Sequence, residues 1–435
     1  MNQKATSISI ITYHMVPYTN AWGGSQRVYY LAQFLAKKGY RVTVYCLDQG
    51  LRDSGHKAKF LVKPFKVSNV GKNNLSDYRN KHNKIKFLSY CKEKILKPLV
   101  KIIFRIVCND LSDFDSMQSL RFIKISNKKI AQDLIENNCK NVIISGPPFT
   151  LFGIVKPLKK QVSNLNVIFD YRDPWHIWHK GTILSRRFEK YVLSKANGII
   201  FTNKPLLDKT FSFFNVPKIN SVVVTNGYDK ESWGGARLTN NVNKHLTINY
   251  VGSISISEVK SKYRDTRNFF TALENFIELG FDVRVNFVGV TNISNTVVEN
   301  YKRIFKEKVT FCHKISAKES LKKMEEADIL LLIHNINDDS GRYLVNGKFY
   351  DYAASKTPIL YIGKSNDIHW QEINKHRMGF VSNNSVNEIC SNLKKIHHEW
   401  ERKELQKSIC NIDTLTEYSR DFQYEKVLKM IDNHD

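Results

Sequence analysis

Gly23-Gly24 stands between the apolar run Ile8-Ser-Ile-Ile11 and a helical rhythm of Val28, Leu31, Ala32, Leu35 and Ala36. The pair thus precedes a helix N-terminus, where bare backbone N–H groups favour a phosphate or the polar edge of a sugar. The alternative is a simple turn. The pattern is neither G-x-G-x-x-G nor a P-loop, which removes support for NAD and Walker-type ATP binding. A second group, Asp170, Arg172, Asp173, Pro174, Trp175 and His176, follows the apolar run Val167–Asp170. Polar groups placed there project beyond the carboxyl end of a strand, where open α/β sheets bind ligands. Asp173 and His176 are groups able to polarise or steer a ligand hydroxyl there, with Arg172 and Trp175 beside them. The structural alternatives are an Asp–Arg pair that locks the loop and a tryptophan that packs.

The elements that must position these residues are strands alternating with helices, the pattern of βαβ units and parallel sheets. Strands are expected at Ser7–Thr12, Arg41–Cys46, Asn141–Ser145, Val167–Asp170, Gly198–Thr202 and Ser221–Thr225, then at Leu246–Val251, Val283–Val288, Val309–His313, Ile329–Ile333, Pro358–Ile362 and Gly379–Val381. Helical stretches such as Ser25–Lys38, Asn268–Leu279 and Ala317–Glu326 lie between them. Two doubly wound α/β domains in tandem follow: residues 1–228, a polar aperiodic linker at 229–245, and residues 246–413, closed by an amphipathic helix at 414–435 that is free to pack back on the first domain. Two such domains facing one another form a ligand cleft.

The length of 435 residues suits two or three domains. An apolar content of 42% with 12% aromatics excludes a disordered or coiled-coil chain. Seven scattered Cys without a CxxC pair argue for a reduced compartment and against a cysteine zinc site. The His residues likewise lack metal-ligand spacing, so no metal is expected. The net charge of +26 asks for a polyanion. Residues 57–105 hold 14 Lys+Arg against Asp77 and Glu93, a net of +12. Within them Lys97, Lys101 and Arg105 recur every four positions among Ile95, Leu96, Leu99, Ile102 and Phe104, a stripe suited to an anionic bilayer surface. The alternative is an amphipathic core helix with a solvated basic face. No run of 18 uncharged apolar residues exists to span a membrane, and the N-terminus reads as a first strand and not a secretory signal. A cytoplasmic protein, peripheral on the inner face of the membrane, is expected. The basic residues do not fall into a nucleic-acid-binding module.

Gly23-Gly24 with Leu31-Ala-x-x-Leu-x-x-x-Gly-Tyr-x-Val-x-Val resembles the opening of the group 1 (family 4) glycosyltransferases. Asn141–Gly153 with Phe169-Asp-Tyr-Arg-Asp-Pro-Trp175 is similar to the bacterial subgroup that builds surface polysaccharides. Thr225-Asn-Gly-Tyr-Asp229 resembles the family's interdomain turn, placing Asn226 and Gly227 at the donor. Tyr250-Val-Gly-Ser253 with Arg264–Leu273 resembles the donor-side strand, loop and helix, and Gly347–Pro358 the nucleotide-sugar helix. The resemblance covers about 350 residues and rests on five degenerate motifs in the family's order. It implies a GT-B fold, a nucleotide-diphosphate sugar donor and retention of anomeric configuration.

On this resemblance Gly252, Ser253, Arg264, Lys348, Phe349 and Asp351 bind the donor, Asp173 or His176 polarises the donor sugar or steers the acceptor hydroxyl, and Arg172 and Trp175 line the acceptor path. Arg264 and Lys348 face its diphosphate and replace a metal, so no cofactor is implied. Fixed cations and helix N-termini aimed at a leaving diphosphate stabilise the charge that develops there. Asp351 stands where the family has a glutamate that accepts hydrogen bonds from both ribose hydroxyls. The family's other acid falls at Tyr343, which is not an acid; Ser340, Gly341, Arg342 and Asn346 are the residues able to take over its role. The structural alternative for Arg264 and Lys348 is a surface cation. The expected function is a retaining glycosyltransferase acting on a lipid-linked, polyprenyl-type or other membrane-associated glycan acceptor. Alternatives are a nucleotide-sugar epimerase or phosphorylase of the same fold, a non-catalytic partner, and a nucleic-acid-binding protein.

Overall fold

The computed structural model describes residues 6–18, 22–50, 58–67, 102, 106–108, 113–179, 181–215, 219–233, 243–257, 264–334, 342–405 and 415–432. The chain divides into two compact units: Met1–Thr225 with Tyr424–Asp435, and Asn226–Gln423. The division at Thr225/Asn226 lies upstream of the polar stretch at 229–245, of which residues 234–242 are outside the described residues.

The described strands of the first unit are β1 (Ser7–Thr12), β2 (Arg41–Asp48), β3 (Leu61–Lys66), β4 (Asn141–Gly146), β5 (Asn166–Tyr171), β6 (Gly198–Phe201) and β7 (Asn220–Val223). They form one parallel sheet in the order β3-β2-β1-β4-β5-β6-β7. Helices α1 (Trp22–Lys37), α2 (Asp113–Glu136), α3 (Val155–Gln161), α4 (His176–His179), α5 (Ile183–Leu193) and α6 (Lys204–Phe214) connect them. Strands β1, β4 and β5 are buried at every residue, as parallel strands covered on both faces must be.

Two expectations from the sequence need correction here. Residues 61–66, read as part of a basic surface insertion, form the edge strand β3, registered with β2 from Thr43↔Leu61 to Asp48↔Lys66. An edge strand needs only one buried side, so Lys63, Pro64 and Lys66 are tolerated in it. Gly23 and Gly24 lie inside the first turn of α1 and not ahead of it.

The second unit contains β8 (Leu246–Ser255), β9 (Val283–Asn292), β10 (Val309–Cys312), β11 (Ile329–Ile333), β12 (Ile359–Gly363) and β13 (Gly379–Asn383). These form a parallel sheet in the order β10-β9-β8-β11-β12-β13. Its helices are α7 (Arg267–Glu278), α8 (Asn295–Phe305), α9 (Ala317–Glu325), α10 (Gly347–Ser355), α11 (Ile368–Lys375) and α12 (Val386–Glu401), while α13 (Arg420–Asp432) starts in this unit and from Tyr424 on belongs to the first. Alternate residues of β11 enter separate cores: Ile329, Leu331 and Ile333 on one face, Leu330 and Leu332 on the other. Both units therefore have a sheet covered on both faces and a strand order that reverses once, between β1 and β4 and between β8 and β11. The carboxyl ends at such a reversal leave room for a ligand.

Candidate functional site

At the reversal of the second sheet, β8 carries Tyr250-Val-Gly-Ser253 in its carboxyl-terminal half and α10 begins directly after Asn346. Gly252 has φ +131, and a Cβ there would come 2.9 Å from the Lys348 Nζ, so this backbone admits the lysine only as glycine. Lys348 donates from Nζ to the Tyr250 hydroxyl, and the ammonium stands 3.8 Å from the centre of that ring. The Tyr250 hydroxyl in turn donates to the Ser253 carbonyl at 3.1 Å. Burial, reinforced by the Arg264 charge, holds the Lys348 amine well below the usual lysine range, and burial pushes the Tyr250 hydroxyl up to about 12.

Arg264 has a left-handed backbone, φ +54, rare for a side-chain-bearing residue. Its guanidinium is fixed by two neutral acceptors, the Ser253 carbonyl at 2.9 Å and the Asn346 side-chain oxygen at 3.1 Å. Asn346 is the hub of the site. Its side-chain nitrogen lies 2.9 Å from the His334 Nδ1, and its backbone N–H donates to the His369 Nε2 at 3.0 Å. With its amide so engaged, Asn346 makes no side-chain cap on α10; its carbonyl accepts from the Phe349 N–H at 3.1 Å, and among the described residues the Gly347 and Lys348 N–H groups ahead of it have no acceptor. His369 is buried and its imidazole is held well below the usual range by burial, then by His334 and Arg264. It accepts at Nε2 as a neutral ring. Neither Arg264 nor Lys348 is paired with a carboxylate among the described residues.

Asp351, one turn on from Lys348, is half-buried. Burial pushes its carboxyl up to about 6 against the opposing pull of Arg420, while Asp229 adds to the rise. Asn226 and Gly227 open the turn that continues into Tyr228, whose N–H donates to the Tyr418 carbonyl and whose carbonyl accepts from Arg420 N–H, both at 2.9 Å. Phe349 is a core residue packed on Tyr350, His369 and Tyr418. Ser253 offers its carbonyl to the site. Tyr343 is half-buried and Arg342 exposed; Ser340 and Gly341 fall outside the described residues.

The carboxyl end of the first sheet is built differently. Arg27 on α1 makes a buried bidentate pair with Asp170, Nη2 to Oδ1 at 2.9 Å, and also donates to the Thr225 and Val224 carbonyls. The Ser145 hydroxyl completes Asp170 at 2.7 Å. Arg172 is buried and clamps three carbonyls, those of Gly146, Gly24 and Pro147. A Cβ at Gly24 would come 2.7 Å from the Arg172 Nη1, so this glycine gives the guanidinium room. Arg172 therefore fixes the loops and is not presented as a free cation. Trp175 is fully buried, stacks on Phe149 at 5.0 Å and donates from Nε1 to the Cys108 carbonyl; it packs and does not line an acceptor path.

His176 is also buried, with Nε2 accepting from the Arg186 Nε at 2.7 Å and its value lowered to about 4 by burial and Arg186. That ring is turned into the protein beside Glu189. Asp173 is half-buried, has no hydrogen-bond or ion-pair partner among the described residues, and is raised by burial against the pull of Arg172 and Arg27. His14, directly beyond β1, lies near Arg172 and is lowered to about 4 by burial and that charge.

Lys97, Lys101 and Arg105 lie outside the described residues. Sequence reasoning gave no role to His14, Arg27, His334 or His369. The available signal for His14 and His334 was their place immediately beyond β1 and β11. Among the described residues no group of three or more His, Cys, Asp or Glu is arranged to hold a metal ion, and no helix is long and apolar enough to cross a membrane.

Neither a protein-family model nor a curated protein matches the sequence. Solved structures do match. The chain is similar to a glycosyltransferase from Rickettsia africae ESF-5, with a TM-score of 0.65 and 12% identity over 99% of this chain and 99% of that one. The Escherichia coli trehalose-6-phosphate structure bound with UDP-2-fluoro glucose gives a TM-score of 0.60 at 13% identity, covering 98% of each chain. The fold is GT-B. A putative UDP-N-acetylglucosamine 2-epimerase from Listeria monocytogenes is similar over 99% of this chain and 96% of that chain, with a TM-score of 0.55 and 10% identity. The GT-B fold thus accommodates more than one chemistry, and the site must choose among them.

Proposed function

We propose that the chain is a retaining glycosyltransferase that moves a sugar from a nucleoside-diphosphate donor to a lipid-linked or membrane-associated glycan acceptor, in the building of a surface polysaccharide. The observation that carries this reading is the cation pair Arg264 and Lys348 at the carboxyl end of β8, held by Tyr250, Ser253 and Asn346 and paired with no acid among the described residues. Two converging cations without a counter-charge are costly in the empty protein. A diphosphate supplies that charge, and the N–H groups of Gly347 and Lys348 at the start of α10 add donors beside it. The negative charge grows on the leaving diphosphate as the glycosidic bond breaks, so both cations bind the transition state more strongly than the ground state. In its ionised form Asp351 can accept from both hydroxyls of a ribose. The departing phosphate oxygen takes the acceptor proton, which leaves no obligatory protein base; Asp173 is the acid suited to orienting the acceptor.

Support also comes from the resemblance of five motifs to retaining transferases and from the bound UDP-2-fluoro glucose in a similar fold. The test is a thermal-shift panel of UDP-, GDP- and ADP-sugars in EDTA, with a CMP-sugar as the monophosphate control. One diphosphate sugar is expected to stabilise selectively, by about 2.7 kcal/mol at a hundredfold excess over Kd. Equal response to the CMP-sugar, or loss of binding in EDTA with recovery on adding Mn²⁺, overturns the diphosphate reading. Transfer is then followed as sugar incorporated into a membrane-lipid extract, and interconversion of the free nucleotide sugar without acceptor indicates an epimerase.

A further inference from the structure

The first unit carries a surface that the donor chemistry does not use. Helix α5 turns Ser185, Glu189, Val192 and Leu193 inward, and Glu189, its only acid, is fully buried. Its outward face opens with Ile183, 69% exposed, and Leu184, 49% exposed, and continues with exposed Arg187 and Lys190. The Thr182 hydroxyl that caps this helix also donates to the Ile106 carbonyl, which brings Ile106 and Val107, both exposed, to the same end. Single exposed aliphatics are ordinary. Four gathered at one helix end, bordered by cations with no exposed acid on the helix, form a patch of the kind that marks an interaction site.

We propose that this outward face of α5, together with residues 106–107, docks the protein on an anionic lipid bilayer. The apolar end has the depth preference of the acyl boundary, and Arg187 and Lys190, one and two turns further on, match the phosphate level above it. Charge complementarity favours this occupant. Arg187 and Lys190 border the patch and the whole chain carries +26, so a second copy of the same cationic face is repelled whereas an anionic leaflet is attracted. The inference gives a surface to the membrane part of the proposed function and is independent of its donor chemistry.

The experiment is co-sedimentation of the full chain with phosphatidylglycerol-containing vesicles and with pure phosphatidylcholine vesicles, without any nucleotide sugar. The wild type is expected to bind the anionic vesicles and to be released by salt. Ile183→Asp with Leu184→Asp is expected to lower the partition by about tenfold or more, and Arg187→Glu with Lys190→Glu by about tenfold. Melting curves check folding, and Leu184→Ser alone carries the test if the double aspartate fails to fold. Wild type that ignores anionic vesicles, variants that bind as the wild type does, or a wild-type oligomer that the aspartates dissolve into monomers each overturn the proposal. Nucleotide-sugar stabilisation measured on the same samples separates failure of docking from failure of the donor reading.

Discussion

The carboxyl ends of the two sheets hold arginines of the same chemistry in opposite states. In the first unit the Arg27 charge is spent on Asp170 and Arg172 is consumed by three carbonyls. In the second, Arg264 and Lys348 are oriented by a hydroxyl, a carbonyl and an amide, and their charge has no carboxylate partner among the described residues. A cation with an internal counter-ion builds the fold; one held by neutral partners waits for an anion. The comparison teaches that the partner of a basic residue, more than its position after a strand, separates scaffold from site.

The largest effect that would break this contrast is expected from Arg27→Ala. It strands Asp170, 1% exposed, with the Ser145 hydroxyl as its one remaining described donor. Breaking a buried pair in this way costs about 3–5 kcal/mol, read as a lowered Tm, while nucleotide-sugar affinity in the surviving folded protein stays within a factor of two or so. Next come Arg264→Ala and Lys348→Ala. Each is expected to raise the Kd for the diphosphate donor about tenfold to a hundredfold by calorimetry, with Tm unchanged or slightly raised because a desolvated, unpaired cation is removed. Should Lys348→Ala lower Tm as much as Arg27→Ala does, the distinction between the two ends fails.

A smaller effect sharpens the first unit's side of the comparison. Burial pushes the Glu189 carboxyl from an ordinary 4.5 up to about 8, although the Tyr171 hydroxyl donates to it. The native state therefore holds a proton that the unfolded chain loses above about 4.5. Stability from this group is fully present below that pH and falls as pH rises toward about 8, by at most about 1.4 kcal/mol per pH unit. Glu189→Gln is expected to flatten the decline in denaturant midpoint across that window. An unchanged slope removes Glu189 as its source.

Much of the fold was legible because parallel strands covered on both faces read as unbroken apolar runs, as Asn141–Gly146 and Ile329–Ile333 do. Strand β3 was not, because an edge strand with Lys63, Pro64 and Lys66 looks like the basic stretch around it. In the site, Lys348 and Arg264 stood out through family-like motifs. The junction made by Asn346 with His334 and His369 was invisible, since it depends on which strands become neighbours. Trp175 and His176 misled for a related reason: they follow a strand, yet the chain turns them back into aromatic packing against Phe149 and Phe213. Position after a strand does not fix side-chain direction.

The last helix has a consequence for how the molecule is made. Tyr424, Val427, Met430 and Ile431 belong to the same core as Ile8, Ile10, Val28 and Leu31. Translation delivers residues 1–225 early, but the interior of that unit stays open until residues 424–431 have been made. The part synthesised first thus waits for a segment made after the whole of the second unit, and a chain truncated before Tyr424 would leave exposed the apolar surface that these later residues cover.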